Sequence, residues 1–110
     1  MRKRPRCTSM HLIEILLPVY DNHGRPYGHG VFAKVREELV AQYGGLTAFT
    51  RSPAEGIWEE DGARSHDEIV IFEVMSNYLD RAWWRRFRER LEGDLGQQEI
   101  VVRAREVERL

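Results

Sequence analysis

Cysteine is almost missing from this sequence: Cys7 stands alone, so the chain forms no internal disulfide and builds no multi-cysteine metal site. An excess of one charge is missing too. The chain carries 17 Lys and Arg against 18 Asp and Glu, a formal net charge of −1, which leaves no global field to draw in nucleic acid or an anionic membrane. Long apolar runs are also absent. The candidate run Leu12 to Leu17 is interrupted by Glu14 and falls far short of the roughly 20 residues a membrane-spanning helix requires. No small-residue cleavage site follows it. Pro18-Val19-Tyr20-Asp21-Asn22 comes instead, which sets the basic head MRKRPRCTS apart from a secretory signal. The expectation from these absences is a cytoplasmic protein that engages neither membrane nor nucleic acid.

A length of 110 residues suits one domain. Residues 1–9 read as a flexible basic tail and residues 10–110 as a single folded unit. The most informative stretch is His66 to Val74, HDEIVIFEV. Side chains alternate faces along a strand, so Ile69 and Ile71 take one side while Val70, Phe72 and Val74 take the other. Both faces are therefore apolar, which implies that both are covered. Met10 to Leu17 has the same two-sided character and reads as a second strand.

The remaining elements follow from periodicity and punctuation. Asp21-Asn22-His23-Gly24 and Pro26 predict a long loop. Phe32, Val35, Leu39 and Tyr43 recur at helical steps and predict a helix from about His29 to Tyr43, stopped by Gly44 and Gly45. Leu46 to Arg51 reads as a strand, broken at Ser52-Pro53 and resuming at Gly56-Ile57-Trp58, and Asp61-Gly62 is a hairpin turn signal. Asn77, with Asp80 three residues on, predicts the opening of a second helix that runs to about Glu92. Its inner stripe reads as Leu79, Trp83, Phe87 and Leu91, with Arg81, Arg85, Arg88 and Glu89 mostly outward. Glu99 to Ala104 supplies a last strand. This order predicts an α+β, ferredoxin-like (βαββαβ) fold: an antiparallel sheet with both helices on one face and the first and third strands in the middle. The helix-free face is then apolar as well, and a second copy of the chain packing on it is the economical cover, giving a homodimer.

The segment GLTAFTRSPAEGIWEEDGARSHDEIVIFEV, with QQEIVVRA after a Trp-rich helix, resembles a group of small bacterial proteins of unknown function with a G-L-T, G-x-W and acidic-strand pattern. The matching positions are Gly45, Leu46, Thr47, Gly56, Trp58, Gly62, Glu68 and Gln98. The resemblance covers about half the chain and implies a ferredoxin-like fold without specifying a reaction. The architecture is also similar to the dimeric α/β-barrel group, which contains both enzymes and proteins without known catalysis, so it assigns no function by itself.

Among candidate site residues, Glu14 stands in the middle of an apolar strand, where an ionised carboxylate without a partner is costly. That makes it a candidate acid–base group; the structural alternative is pairing with an arginine such as Arg103. Glu73 near the end of one central strand and His11 near the start of the other form a candidate proton-transfer pair if the register brings them together. Tyr20 and His23 share the long loop with Asp21, Tyr27 and His29 and are candidate ligand contacts, although their spacing matches no strong metal motif. Trp58, near Arg51 and Arg64, is the aromatic most readily placed at a cleft. Trp83 reads as core, and Trp84, off the inner stripe, as an interface or pocket rim. The run Trp83 to Arg88 interleaves aromatic and basic residues, but HDEIVIFEV lacks the exposed aromatics of an RNA-recognition strand. No metal or cofactor fingerprint is present. Two functions compete: a small-molecule site, enzymatic or not, between sheet and helices, and a non-catalytic dimeric binding or assembly module.

Overall fold

The structure is a computed structural model that describes residues 9–51, 59–60, 63–64 and 69–110. The folded unit is built from strand β1 (Ser9–Pro18), helix α1 (His29–Tyr43), strand β2 (Thr47–Arg51), a two-stranded hairpin of β3 (Glu59–Glu60) and β4 (Ala63–Arg64), strand β5 (Ile69–Ser76), helix α2 (Arg81–Leu95) and strand β6 (Val101–Glu108). The main sheet is antiparallel in the order β2-β5-β1-β6. The two strands with the most apolar sequence are thus the central pair, as expected of a ferredoxin-like α+β fold.

Register decides which side chains share a face. Ile13 pairs with Val74 and Ala104, Ile15 with Phe72 and Val102, and Leu17 with Val70. This face meets both helices. Ile13, Ile15, Leu17, Phe72, Val74 and Ile100 form one buried cluster with Val35 and Leu39 of α1 and with Trp84, Phe87, Leu91 and Leu95 of α2. α1 lies over β5 and α2 over β6. On the helix-free face Leu12 and Ile71 are also buried, so both sides of the central pair are largely shielded from water.

The helix ends follow local chemistry. Gly44 adopts the left-handed conformation, φ 82°, and its N–H bonds the Val40 carbonyl, closing α1 where the glycine pair predicts. α2 begins later than Asn77 would place it, because the cap is Asp80, whose Oδ1 accepts from the Trp83 N–H at 3.1 Å. Asn77 stays outside the helix, and the Ser76 hydroxyl meanwhile bonds the Tyr78 backbone. α2 also ends later than Glu92, since the left-handed residue is Gly96 rather than Gly93. The last strand runs on through the charged tail to Glu108.

The buried stripe of α2 corrects the sequence reading. A strict four-residue ladder, 79-83-87-91, drifts by about 40° per step and about 120° in all around a helix of 3.6 residues per turn, whereas the three-residue step from 84 to 87 turns back and keeps 84-87-91-95 within about 80°. The observed stripe is Trp84, Phe87, Leu91 and Leu95, and Trp84 is core at 5% exposure, while Trp83 is only partly buried. Trp84 stacks on Tyr43 at 5.3 Å and meets Trp83 and Phe87 edge-on at 4.8 and 5.4 Å. This aromatic cluster joins the end of α1 to the start of α2, and burial pushes the Tyr43 hydroxyl pKa up, with Asp80 adding to the shift.

Glu92 fastens α2 to β6. Its Oε2 accepts the Ile100 N–H at 2.9 Å and the Arg88 Nη1 at 2.9 Å, and these bonds, the backbone one first, hold its carboxyl below the ordinary value. A depressed folded-state pKa adds stability that is fully present above the unfolded value and lost as pH falls through the folded one. The gap in urea stability between wild type and Glu92→Gln is therefore expected to be full at pH 7 and to narrow as pH drops below 4.5; a gap unchanged with pH would show that the carboxylate charge plays no part. Trp84→Ala is expected to cost about 3–5 kcal/mol in the same assay, and more than Trp83→Ala; equal losses would refute the shifted stripe.

Candidate functional site

The residues singled out in the sequence do not converge. Glu14 points to the helix-free face, where its neighbours across the ladders are Arg103 on β6 and Glu73 on β5. Arg103 Nε donates to Glu14 Oε1 at 2.8 Å, and the Glu14 side chain is 12% exposed. A carboxylate neutralised in this way is a poor proton shuttle, and the arginine pairing is the structural alternative foreseen for it. Two carboxylates directly opposite repel, and Arg103 offsets that repulsion on the Glu14 side. Glu73 has no hydrogen bond or ion pair among the described residues.

His11 does not meet Glu73. It pairs with Ser76 and Glu106 and points to the helix face, whereas Glu73 pairs with Glu14 and points to the opposite one. Antiparallel pairing does bring the start of β1 to the end of β5, but the three-residue offset places the two side chains on different sides of the sheet. The nearest carboxylate to His11 Nε2 is Glu106 Oε1, at 4.0 Å, and the buried Nδ1 has no hydrogen-bond partner among the described residues.

The long loop is anchored rather than open. Asp21 Oδ1 accepts from the backbone of His23 at 2.8 Å and of Arg25 at 2.9 Å, and Tyr20 forms a bridge with Pro26. These bonds, Arg25 first, lower the Asp21 pKa. The Tyr27 hydroxyl donates to the Leu95 carbonyl at 2.6 Å and accepts from Gln97 Nε2 at 2.8 Å, while Asn22 Nδ2 reaches the Gly96 carbonyl at 3.1 Å. Asn22 and Tyr27 thus tie the loop to the end of α2, while Asp21 holds the turn itself. His23 is exposed, and His29 is the first residue of α1. Among the described residues no group of three His, Cys, Asp or Glu is placed to hold a metal ion. Trp58 and Arg64's side chain lie outside the described residues, and of Arg51 only the backbone, paired with Ile69, is described.

What the fold does create is a cleft of about 230 Å³ between α2 and the β1–β6 side of the sheet. Its floor is apolar: Ile13, Val102 and Ala104 from the strands, with Leu79 from just before α2 and Trp84 from its first turn. Its rim is Arg81, Arg85 and Arg88, bordered by Arg103. β6 is the last strand of the sheet, so the helix above it has no neighbouring strand to close the gap. Arg88 is held by Glu92 at 2.9 Å, while Arg81 and Arg85 have no ion pair among the described residues. A second hollow of about 400 Å³ lies past Arg88 and is lined by Glu92, Gln98 and Glu99.

Sequence reading assigned these arginines to the solvated face. The signal that could have found them is their spacing: positions 81, 85 and 88 fall on one stripe of a helix, adjacent to the buried one. Among the described residues no helix is long and apolar enough to cross a membrane.

No protein-family model and no curated protein matches the chain. Among solved structures, a phage SAM lyase in complex with S-methyl-5'-thioadenosine has a similar fold, with a TM-score of 0.61 at 11% identity. The superposition covers 96% of this chain and 87% of that one, so the whole βαββαβ unit is shared, and the likeness is one of fold.

Proposed function

We propose that this protein binds a small molecule in the cleft between α2 and β6. The observation that carries the reading is the combination of an apolar floor with a polar rim in one concavity, the make-up typical of small-ligand sites. A volume of about 230 Å³ suits a compact metabolite rather than a drug-sized ligand. The similarly folded phage lyase, solved with S-methyl-5'-thioadenosine, supports the reading only in that such a fold can accommodate a small ligand. Proton transfer is not part of the proposal, because Glu14 is neutralised by Arg103 and His11 and Glu73 face opposite sides.

The test is a set of small aromatic acids, alcohols and nucleosides, S-methyl-5'-thioadenosine among them, followed by amide chemical shifts. At least one is expected to move Ile13, Val102 and Ala104, and Ala104→Leu, which fills the floor from a strand edge, is expected to abolish that response without loss of folding. Shifts confined to other regions, or none, would remove the proposal. Incubation with SAM belongs in the same experiment: appearance of S-methyl-5'-thioadenosine would replace simple binding with lyase chemistry.

A second reading is self-association through the helix-free face, in a homodimeric assembly module. It is favoured by the exposed apolar residues of that face, Met75 at 47% and Val101 at 42%, and by Glu14 being paired rather than free. Sedimentation over a dilution series is expected to give a dimer that Met75→Asp dissociates. A monomer throughout would dismiss this reading and leave the cleft proposal untouched.

A further inference from the structure

We infer that the cleft selects an oxyanion: its ligand is a carboxylate or phosphate monoester on a compact apolar body. This rests on the cleft being a binding site and adds the chemical class it takes.

The argument is one of charge placement. The cleft's lining contains arginines and no acidic residue, although the chain as a whole carries slightly more acid than base. Of the rim arginines, Arg88 is already neutralised by Glu92, which also holds the start of β6 through the Ile100 N–H. Arg81 and Arg85 have no carboxylate partner among the described residues. They are four positions apart on α2, a rise of about 6 Å, so both side chains can converge on one small group. Guanidinium groups present planar forks of N–H donors that match the oxygens of a carboxylate or phosphate. Arg81 is also the first residue of α2, where the helix dipole adds to the positive potential. The floor beneath them offers aliphatic side chains and the Trp84 indole but no charged partner, so the remainder of the ligand should be largely apolar.

The hollow beyond Arg88 sharpens the contrast. It is lined by Glu92 and Glu99 together with Arg88, so its charges are mixed, and an anion gains less there than at the Arg81–Arg85 end. Of these two hollows, it is the first that joins unpaired cations to an apolar floor.

The experiment compares phenyl phosphate, benzoate and benzyl alcohol as probes of equal ring size by amide chemical shifts of Ile13, Val102 and Ala104. Phenyl phosphate and benzoate are expected to bind at least about tenfold more tightly than benzyl alcohol, with affinity falling as salt is raised. The variant Arg81→Ala/Arg85→Ala is expected to erase that preference, bringing phenyl phosphate and benzoate down to the affinity of benzyl alcohol for the same variant; alanine suits the exposed helix positions, so folding is retained. Equal binding of all three probes would overturn the oxyanion inference and leave the cleft as a site for neutral ligands. A preference that survives the double variant would also overturn it. If none of the probes shifts the cleft at millimolar concentration, the cleft reading fails and this inference fails with it. Tighter binding of phenyl phosphate than benzoate would assign the ligand to phosphate esters, and the reverse to carboxylates.

Discussion

One apolar face organises this protein: Ile13, Ile15 and Leu17 of β1, set beside Phe72 and Val74 of β5, must be taken out of water. Burial of such side chains is worth on the order of 1.5–3 kcal/mol each. A sheet alone leaves that face wet. The helices supply the cover, and their caps, their buried stripes and the Glu92 clasp can be read as means of holding them down. α1 contributes only Val35 and Leu39 as fully buried residues, while α2 contributes four, two of them aromatic. The second helix is therefore the heavier lid, and its position over the edge strand is what leaves the cleft beneath its arginine side.

Much of the fold was legible because periodicity and punctuation agreed. The two-sided strands announced the central pair, and Gly44 marked the end of α1 through a conformation that only glycine adopts cheaply. The stripe of α2 was misread because leucine and tryptophan at four-residue intervals also look amphipathic. Only packing against Tyr43 and Phe87 reveals that Trp84 is the buried partner.

The site was less legible, and the reasons differ by residue. Glu14 could be recognised as an anomaly from its apolar neighbours, and Arg103 could be named as a partner, yet whether they meet depends on a register between strands almost ninety residues apart. His11 and Glu73 illustrate the same limit, since an offset of one residue would have put them on one face. The arginines of α2 were visible but unremarkable, because a charged helix face ordinarily faces solvent. They gain meaning from the absence of a strand beyond β6, a property of the sheet order and not of any local pattern.

The sheet order also bears on how the chain reaches this state. β1 pairs only with β5 and β6, Pro18 meeting Ile69 and Leu16 meeting Val101. During synthesis the strand emerges long before either partner exists. Its Leu-Ile-Glu-Ile-Leu-Leu core must wait while the intervening chain is made, and pairings of such large sequence separation form slowly. A nascent chain stalled before β5 would present a β-prone segment with no native mate, and the one charge in its Leu12 to Leu17 core is Glu14, still without Arg103. The carboxylate that is half of an ion pair in the finished fold is, until β6 is made, an unpaired charge that interrupts the apolar run.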